Sequence, residues 1–121
     1  MLKPGGLLFI ITPNAASLSR RLLGPDWMQY KHEHVIYWNP HSLRRALRLT
    51  GFEPVQTRHN WKTFSPAYYA AYFRKYTLLG GLGAALVKIH DRLPKPIQRL
   101  PFPNPVTGEM LVVAKKPQTN P

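Results

Sequence analysis

Cysteine is absent from the 121 residues, which excludes a disulfide framework and any zinc or iron–sulfur site built on thiolates. Acidic residues are scarce: five Asp and Glu stand against seventeen Lys and Arg, for a formal net charge of +12. Long apolar runs are lacking as well. The longest candidate, residues 77–87, contains three glycines and is about half the roughly 20 residues that a membrane-spanning helix needs. The opening Met1-Leu2-Lys3-Pro4-Gly5-Gly6 lacks the form of a secretory signal, because a Pro-Gly-Gly turn precedes a very short apolar run and no small-residue cleavage site follows. A cytoplasmic location is the resulting expectation.

With 44% hydrophobic and 18% charged residues, the chain can bury a modest core and is not a disordered polar segment. The basic excess has two readings. Such a charge attracts nucleic acid, anionic lipid or acidic substrates. It is also what one portion of a larger, elsewhere acidic protein carries, and the second reading is preferred because the basic residues are spread along the chain and form no block.

Lys3-Pro4-Gly5-Gly6 predicts a turn. Residues 7–12 (LLFIIT) follow as a continuous apolar run, the pattern of a strand buried on both faces. Pro13 stops it, and Asn14 is placed to cap a short helix over residues 15–23, ended by Gly24-Pro25. Residues 26–38 are irregular and rich in aromatics and histidines. The clearest helix has Asn39 as its cap, Pro40 at its first position and Gly51 past its end. Leu43, Ala46, Leu47 and Thr50 fall on one side, and Arg44, Arg45 and Arg48 on the other. A strand over residues 52–59 completes a β-α-β unit with parallel strands. Ser65-Pro66 opens a further helix with an aromatic stripe of Tyr69, Tyr72, Phe73 and Tyr76. Gly80-Gly81 interrupts it, and Leu82, Ala85, Leu86 and Ile89 continue a helical face to Leu93. Residues 95–105, with four prolines, predict a rigid connector. Residues 109–115 predict a last strand, and a polar tail follows from Pro117.

Several of these passages, in this order and spacing, resemble the second half of class I S-adenosylmethionine-dependent methyltransferases, in the branch that holds ubiquinone-biosynthesis O-methyltransferases and many glycan- or lipid-associated enzymes. The passages are Leu2-Lys3-Pro4-Gly5-Gly6, the strand ending Thr12-Pro13-Asn14, Glu33-His34-Val35, the helix from Ser42 to Leu47, and Gly51-Phe52. The match is good over residues 2–55, looser over 110–115, and treats 61–105 as a variable insertion. The resemblance implies an α/β fold, a partial Rossmann-like sheet. Residues 7–12 would be its fifth strand and 52–59 its sixth, with 109–115 an antiparallel seventh strand inserted between them and a helical hairpin inserted in the chain. One methyltransferase domain portion would then comprise a strand-helix-strand unit (1–60), the insertion and Pro-rich connector (61–105), the last strand (106–116) and a tail (117–121).

The family binds S-adenosylmethionine on a Gly-rich strand-to-helix turn and an acidic ribose-holding residue that belong to its first strands. Gly5-Gly6 precedes a strand and Gly80, Gly81 and Gly83 lie in helical sequence, so the chain resembles a carboxyl-terminal portion, with no cofactor-binding residue of its own and no binding of S-adenosylmethionine expected from it alone. The whole enzyme would methylate an oxygen of a small or lipid-linked acceptor.

His34 matches the family's Glu-His position and is the candidate general base, since a histidine titrating near neutrality can take the acceptor's proton. The plainer role, which is preferred, is to orient its loop by bonding backbone groups. Thr12 and Asn14 end the first strand, where ligands of open parallel sheets bind, and together with His32, Glu33 and Trp38 they are the candidate substrate contacts. A His-x-His metal site is conceivable, but two ligands in one loop are weak evidence for it. Trp27, Tyr30, Tyr37 and Trp38 can wall an aromatic pocket or simply pack under a loop. Residues 66–93 combine aromatics, an apolar face and Arg74, Lys75 and Lys88, which suits peripheral contact with the inner face of a membrane, a cover for the sheet, or a dimer contact. Two rivals to the enzyme reading follow: a basic membrane- or nucleic-acid-binding module without catalysis, with nucleic acid the less favoured partner, and a subunit that completes a split methyltransferase against an amino-terminal half.

Overall fold

A computed structural model describes residues 1–76, 81–104 and 108–118. The order of elements is β1 (Leu7–Pro13), α1 (Leu18–Leu23), a 3-10 turn (Gly24–Asp26), α2 (Pro40–Leu49), β2 (Glu53–His59), β3 (Lys62–Phe64), α3 (Pro66–Tyr76), α4 (Gly81–Arg92), α5 (Lys95–Gln98), β4 (Phe102–Asn104) and β5 (Glu109–Lys115). They divide into two compact units, residues 1–61 with 105–121, and residues 62–104.

In the first unit three strands pair in the order β1-β5-β2. β5 is antiparallel to both neighbours, from Leu7↔Lys115 to Pro13↔Glu109 on one side and from Glu53↔Lys115 to His59↔Met110 on the other. β1 and β2 are therefore parallel to each other, as the β-α-β reading requires. Because side chains alternate across a strand, this register sorts the residues. Leu8, Ile10 and Thr12 share a face with Ala114, Val112 and Met110. That face meets Leu43 and Leu47 of α2, with Trp38 and Phe52 packed at the margin.

The local sequence fixes α2 at both ends. The Asn39 side chain accepts from the Ser42 amide at 2.8 Å while Ser42 Oγ accepts from the Asn39 amide at 3.1 Å, a reciprocal capping box. At the other end Gly51 adopts φ +83°, and the Phe52 amide donates back to the Leu47 carbonyl at 2.8 Å. That closure needs the left-handed residue that glycine supplies. It also turns Phe52 into the core.

The second face of the sheet differs from the expectation of a strand buried on both sides. Leu7, Phe9 and Ile11 are exposed; residues 7–12 are uniformly apolar, but only their even-numbered side chains meet a layer of structure. The expected Asn14 cap is also corrected. Asn14 lies in a bridge with Trp38 and its Oδ1 takes the Ala16 amide at 2.9 Å. Ser17 is the residue with extended backbone and a side chain that accepts from the Arg20 amide, so α1 starts at Leu18.

In the second unit α3 and α4 pack together, with the small residues Ala70 and Gly83 buried. The rigid connector expected over residues 95–105 is corrected too. Pro94 and Pro96 stand at the cap and first turn of α5, where a missing amide hydrogen costs nothing. Phe102, Pro103 and Asn104 pair with β3. Of the aromatic stripe, Tyr69 is half-buried and stacks on Phe102 at 6.3 Å; beside it Phe64 stacks on the exposed Tyr68 at 4.4 Å. Burial, then the neighbouring Tyr68, raises the pKa of Tyr69. Hydrogen bonds from Arg74 and then His90 hold the Asp91 carboxyl below its usual range. Their contribution is present above the unfolded pKa of Asp91 and is lost as pH falls through the lower folded value. Gly80 of the Gly80-Gly81 break lies outside the described residues, as do residues 106–107 before the last strand and 119–121 of the tail.

Leu47 and Leu49 test the placement of α2, since Leu47 is buried against the sheet and Leu49 is exposed. Leu47→Ala should cost about 2–5 kcal/mol in urea-monitored unfolding. Leu49→Ala should stay within about 0.5 kcal/mol, and similar losses at both positions would contradict the register described.

Candidate functional site at the carboxyl ends of the strands

β1 and β2 run the same way, so their carboxyl ends lie at one pole of the sheet, beside the start of β5. Open α/β sheets bind ligands at that pole. The residues there are Thr12, Asn14, Trp38, His59, Asn60 and Glu109.

Glu109 organises the pole. It opens β5 opposite Pro13 and is only 6% exposed. Its Oε1 accepts from Gln29 Nε2 at 3.1 Å and its Oε2 from Asn60 Nδ2 at 3.0 Å. The Asn60 amide also donates to the Glu109 carbonyl at 3.1 Å. A buried carboxylate is costly unless its oxygens are satisfied. Here the two amides satisfy it and, in doing so, fasten the aromatic loop and the end of β2 to β5. Sequence reasoning treated Glu109 only as a strand residue. The available signal was an acid at the head of an otherwise apolar strand in a chain with few acids.

Beside it, Gly108 takes φ +70° and its carbonyl accepts from the Asn14 amide at 2.7 Å. A Cβ on Gly108 would lie 2.5 Å from Ser19 Oγ and 3.0 Å from both Ser17 Oγ and the Trp27 ring. Trp27 is fully buried and donates from Nε1 to Ser19 Oγ at 3.0 Å. Serine and tryptophan side chains thus fill the space that glycine opens.

The candidate substrate contacts divide. Asn14 and Trp38 form a bridge, with the Ala15 amide donating to the Trp38 carbonyl at 2.8 Å, and Thr12 is two residues back on β1. His34 is half-buried and sits edge-on to Tyr37 with ring centres 6.0 Å apart. His32 and Glu33 are exposed on the turn closed by the His34 amide on the Lys31 carbonyl. Trp27, Tyr30 and Tyr37 pack on one another, Trp27–Tyr30 and Tyr30–Tyr37 both at 5.1 Å. The Tyr37 hydroxyl accepts from the Lys31 amide at 3.1 Å, and Arg20 Nε donates to the Tyr30 hydroxyl at 3.0 Å. These rings pack under their loop. One open depression of about 630 Å³ lies instead on the outer side of α2, lined by Pro40, His41, Arg44, Arg45 and Arg48. Another, of about 410 Å³, lies at the opposite end of β2 against Glu53 and Pro54.

Residues 1–57 match the model of a methyltransferase domain family. The match spans 57 of the 121 residues, a little under half of the chain. No curated protein sequence matches the chain. A crystal structure of a candidate methyltransferase from Bacillus halodurans C-125 superposes with a TM-score of 0.51 at 18% identity, covering 97% of this chain and 58% of that one. At that identity the likeness shows the fold, and the chain spans little more than half the length of the solved protein. The order β1-β5-β2, with β5 antiparallel between two parallel strands, is the arrangement that the methyltransferase resemblance implies for a fifth, a seventh and a sixth strand.

The methyltransferase family implies S-adenosylmethionine, and the described residues do not fit a nucleoside site. Their positive-φ glycines are Gly5, Gly24, Gly51 and Gly108. The first precedes β1, the next two close helices, and the last is filled by Ser19 and Trp27. Among the described residues no acid ends a strand: Glu53 and Glu109 each begin one.

Gly108→Ala combines a left-handed backbone with a close approach to Ser19 and Trp27. It should destabilise the first unit by on the order of 2–5 kcal/mol, read from the shift in a urea midpoint. A loss below about 0.5 kcal/mol, ordinary for surface positions, would refute this packing.

Proposed function

We propose that the chain is the carboxyl-terminal part of an S-adenosylmethionine-dependent methyltransferase, acting on an oxygen of a small or lipid-linked acceptor, and that it is inactive without the cofactor-binding elements. The observation that carries this reading is the half-covered sheet. Among the described residues β1 bonds to β5 on one side only, and its Leu7, Phe9 and Ile11 side chains are exposed. A free strand edge beside an apolar face is a template for another strand and another layer of helices. The occupant proposed is the amino-terminal part of the same kind of domain, joined to this chain or supplied as a partner subunit.

Within that enzyme the pole of the strands faces the acceptor. Thr12, Asn14 and Trp38 line its floor, and His32 and Glu33 stand on the neighbouring loop. His34 would accept the proton of the acceptor hydroxyl, with Tyr37 steadying the imidazole ring. Glu109 acts through Gln29 and Asn60 as a positioning residue that holds the loop against the sheet.

Three measurements test the proposal. Titration calorimetry of the chain with S-adenosylmethionine should give no saturable heat, and saturable micromolar binding would mean that the cofactor site lies within these residues. Light scattering should show self-association that Phe9→Lys or Ile11→Lys reduces; a stable monomer indifferent to these changes would remove the argument from the bare edge. In an enzyme reconstituted with the cofactor-binding part, His34→Ala should lower turnover by about 10²–10⁴ with cofactor affinity unchanged. A change under about threefold would leave His34 a purely structural role.

A further inference from the structure

The helical face expected from Leu82, Ala85, Leu86 and Ile89 is not the face that packs. α4 buries Gly83 and half-buries Val87 and His90, and it leaves Leu82, Leu86 and Ile89 exposed by 59%, 40% and 58%. These three stand at i, i+4 and i+7, a continuous apolar stripe. Ala85 is exposed beside them. Lys88 and Arg92, one step further round the helix, are exposed cations along one edge of the stripe. Asp91 projects from the other side of α4, where it pairs with Arg74 and its Oδ1 lies 3.0 Å from His90 Nδ1. Residues 62–104 carry seven Lys and Arg against this one acid. Past α4, Ile97 and Leu100 are exposed as well.

We infer that α4 docks its Leu82–Leu86–Ile89 stripe into the interface of an anionic phospholipid bilayer, with Lys88 and Arg92 at the headgroup phosphates. An apolar stripe edged by basic residues binds such surfaces by partial burial of the stripe together with charge attraction. The charge decides between occupants. A second copy would bring another strongly cationic unit against the first, and like charges oppose that pairing. An anionic lipid surface neutralises the same residues. No helix among the described residues is long and apolar enough to cross the membrane, so the contact is peripheral. The inference does not depend on the methyl-transfer reading, because the chain alone can be tested on lipid.

The test is flotation of the full chain with vesicles of phosphatidylcholine, or of phosphatidylcholine mixed with phosphatidylglycerol. Binding should require phosphatidylglycerol. Lys88→Gln with Arg92→Gln should lower the partition coefficient about 25-fold, from about fivefold per lost cation near the surface. Leu86→Asp with Ile89→Asp should abolish the part of the binding that survives high salt. All four positions are exposed or at the rim, so helix content by circular dichroism should be retained. Arg44→Gln, Arg45→Gln and Arg48→Gln on α2 form the control and should remove only salt-sensitive binding. The inference is overturned if the chain ignores phosphatidylglycerol vesicles, if the α4 variants bind like the parent, or if the α2 variant alone abolishes binding. A concentration-dependent dimer that dissolves on Ile89→Asp would overturn it in favour of a second copy.

Discussion

The pairing of β5 between β1 and β2 is the constraint on which the first unit depends. β1 and β2 are parallel and share no hydrogen bonds with each other; each is bonded to β5. Residues near the end of the chain therefore join two strands that are about forty residues apart in sequence. Met110, Val112 and Ala114, all fully or nearly fully buried, supply the middle of the surface on which α2 rests. Without β5 the capping box and glycine closure of α2 would still favour a helix, but Leu43 and Leu47 would have little to cover.

The same insertion explains why a buried acid belongs at the pole. An antiparallel strand places its first residue beside the last residues of its neighbours, so Glu109 meets Pro13 and the segment after His59. Its carboxylate gathers the amides of Gln29 and Asn60, and the Gly108 carbonyl holds Asn14. Structure and proposed chemistry thereby meet at one place: the contacts that close the sheet also fix the loop that carries His34.

The second unit follows a different logic. Its α3 and α4 pack together, stacked aromatics join α3 to β3 and β4, and its longest helix turns an apolar stripe outward. The one acid of the unit is tied to Arg74 and His90, which leaves Lys88 and Arg92 to set the charge along the stripe. Ala70 and Gly83 are the buried residues of α3 and α4, and the larger aliphatic side chains of α4 are left on its outer side.

The sequence by itself determined what short-range chemistry controls. Asn39-Pro40 and Gly51 bound α2, the spacing of Leu43 and Leu47 defined its inner face, and the strand-helix-strand pattern of the first sixty residues implied that β1 and β2 are parallel. Tertiary structure decided what depends on distant partners. An all-apolar strand does not reveal which of its faces is covered, so the exposure of Phe9 and Ile11 was not legible. Asn14 and Ser17 both have capping side chains, and the bridge from Asn14 to Trp38 left the cap to Ser17. The prolines of residues 95–105 suggested a connector because proline excludes interior helix positions, yet at a first turn and in a two-stranded pairing it is tolerated. Glu109 gained its role from Gln29, 80 residues away, a contact that exists only after β5 has entered the sheet.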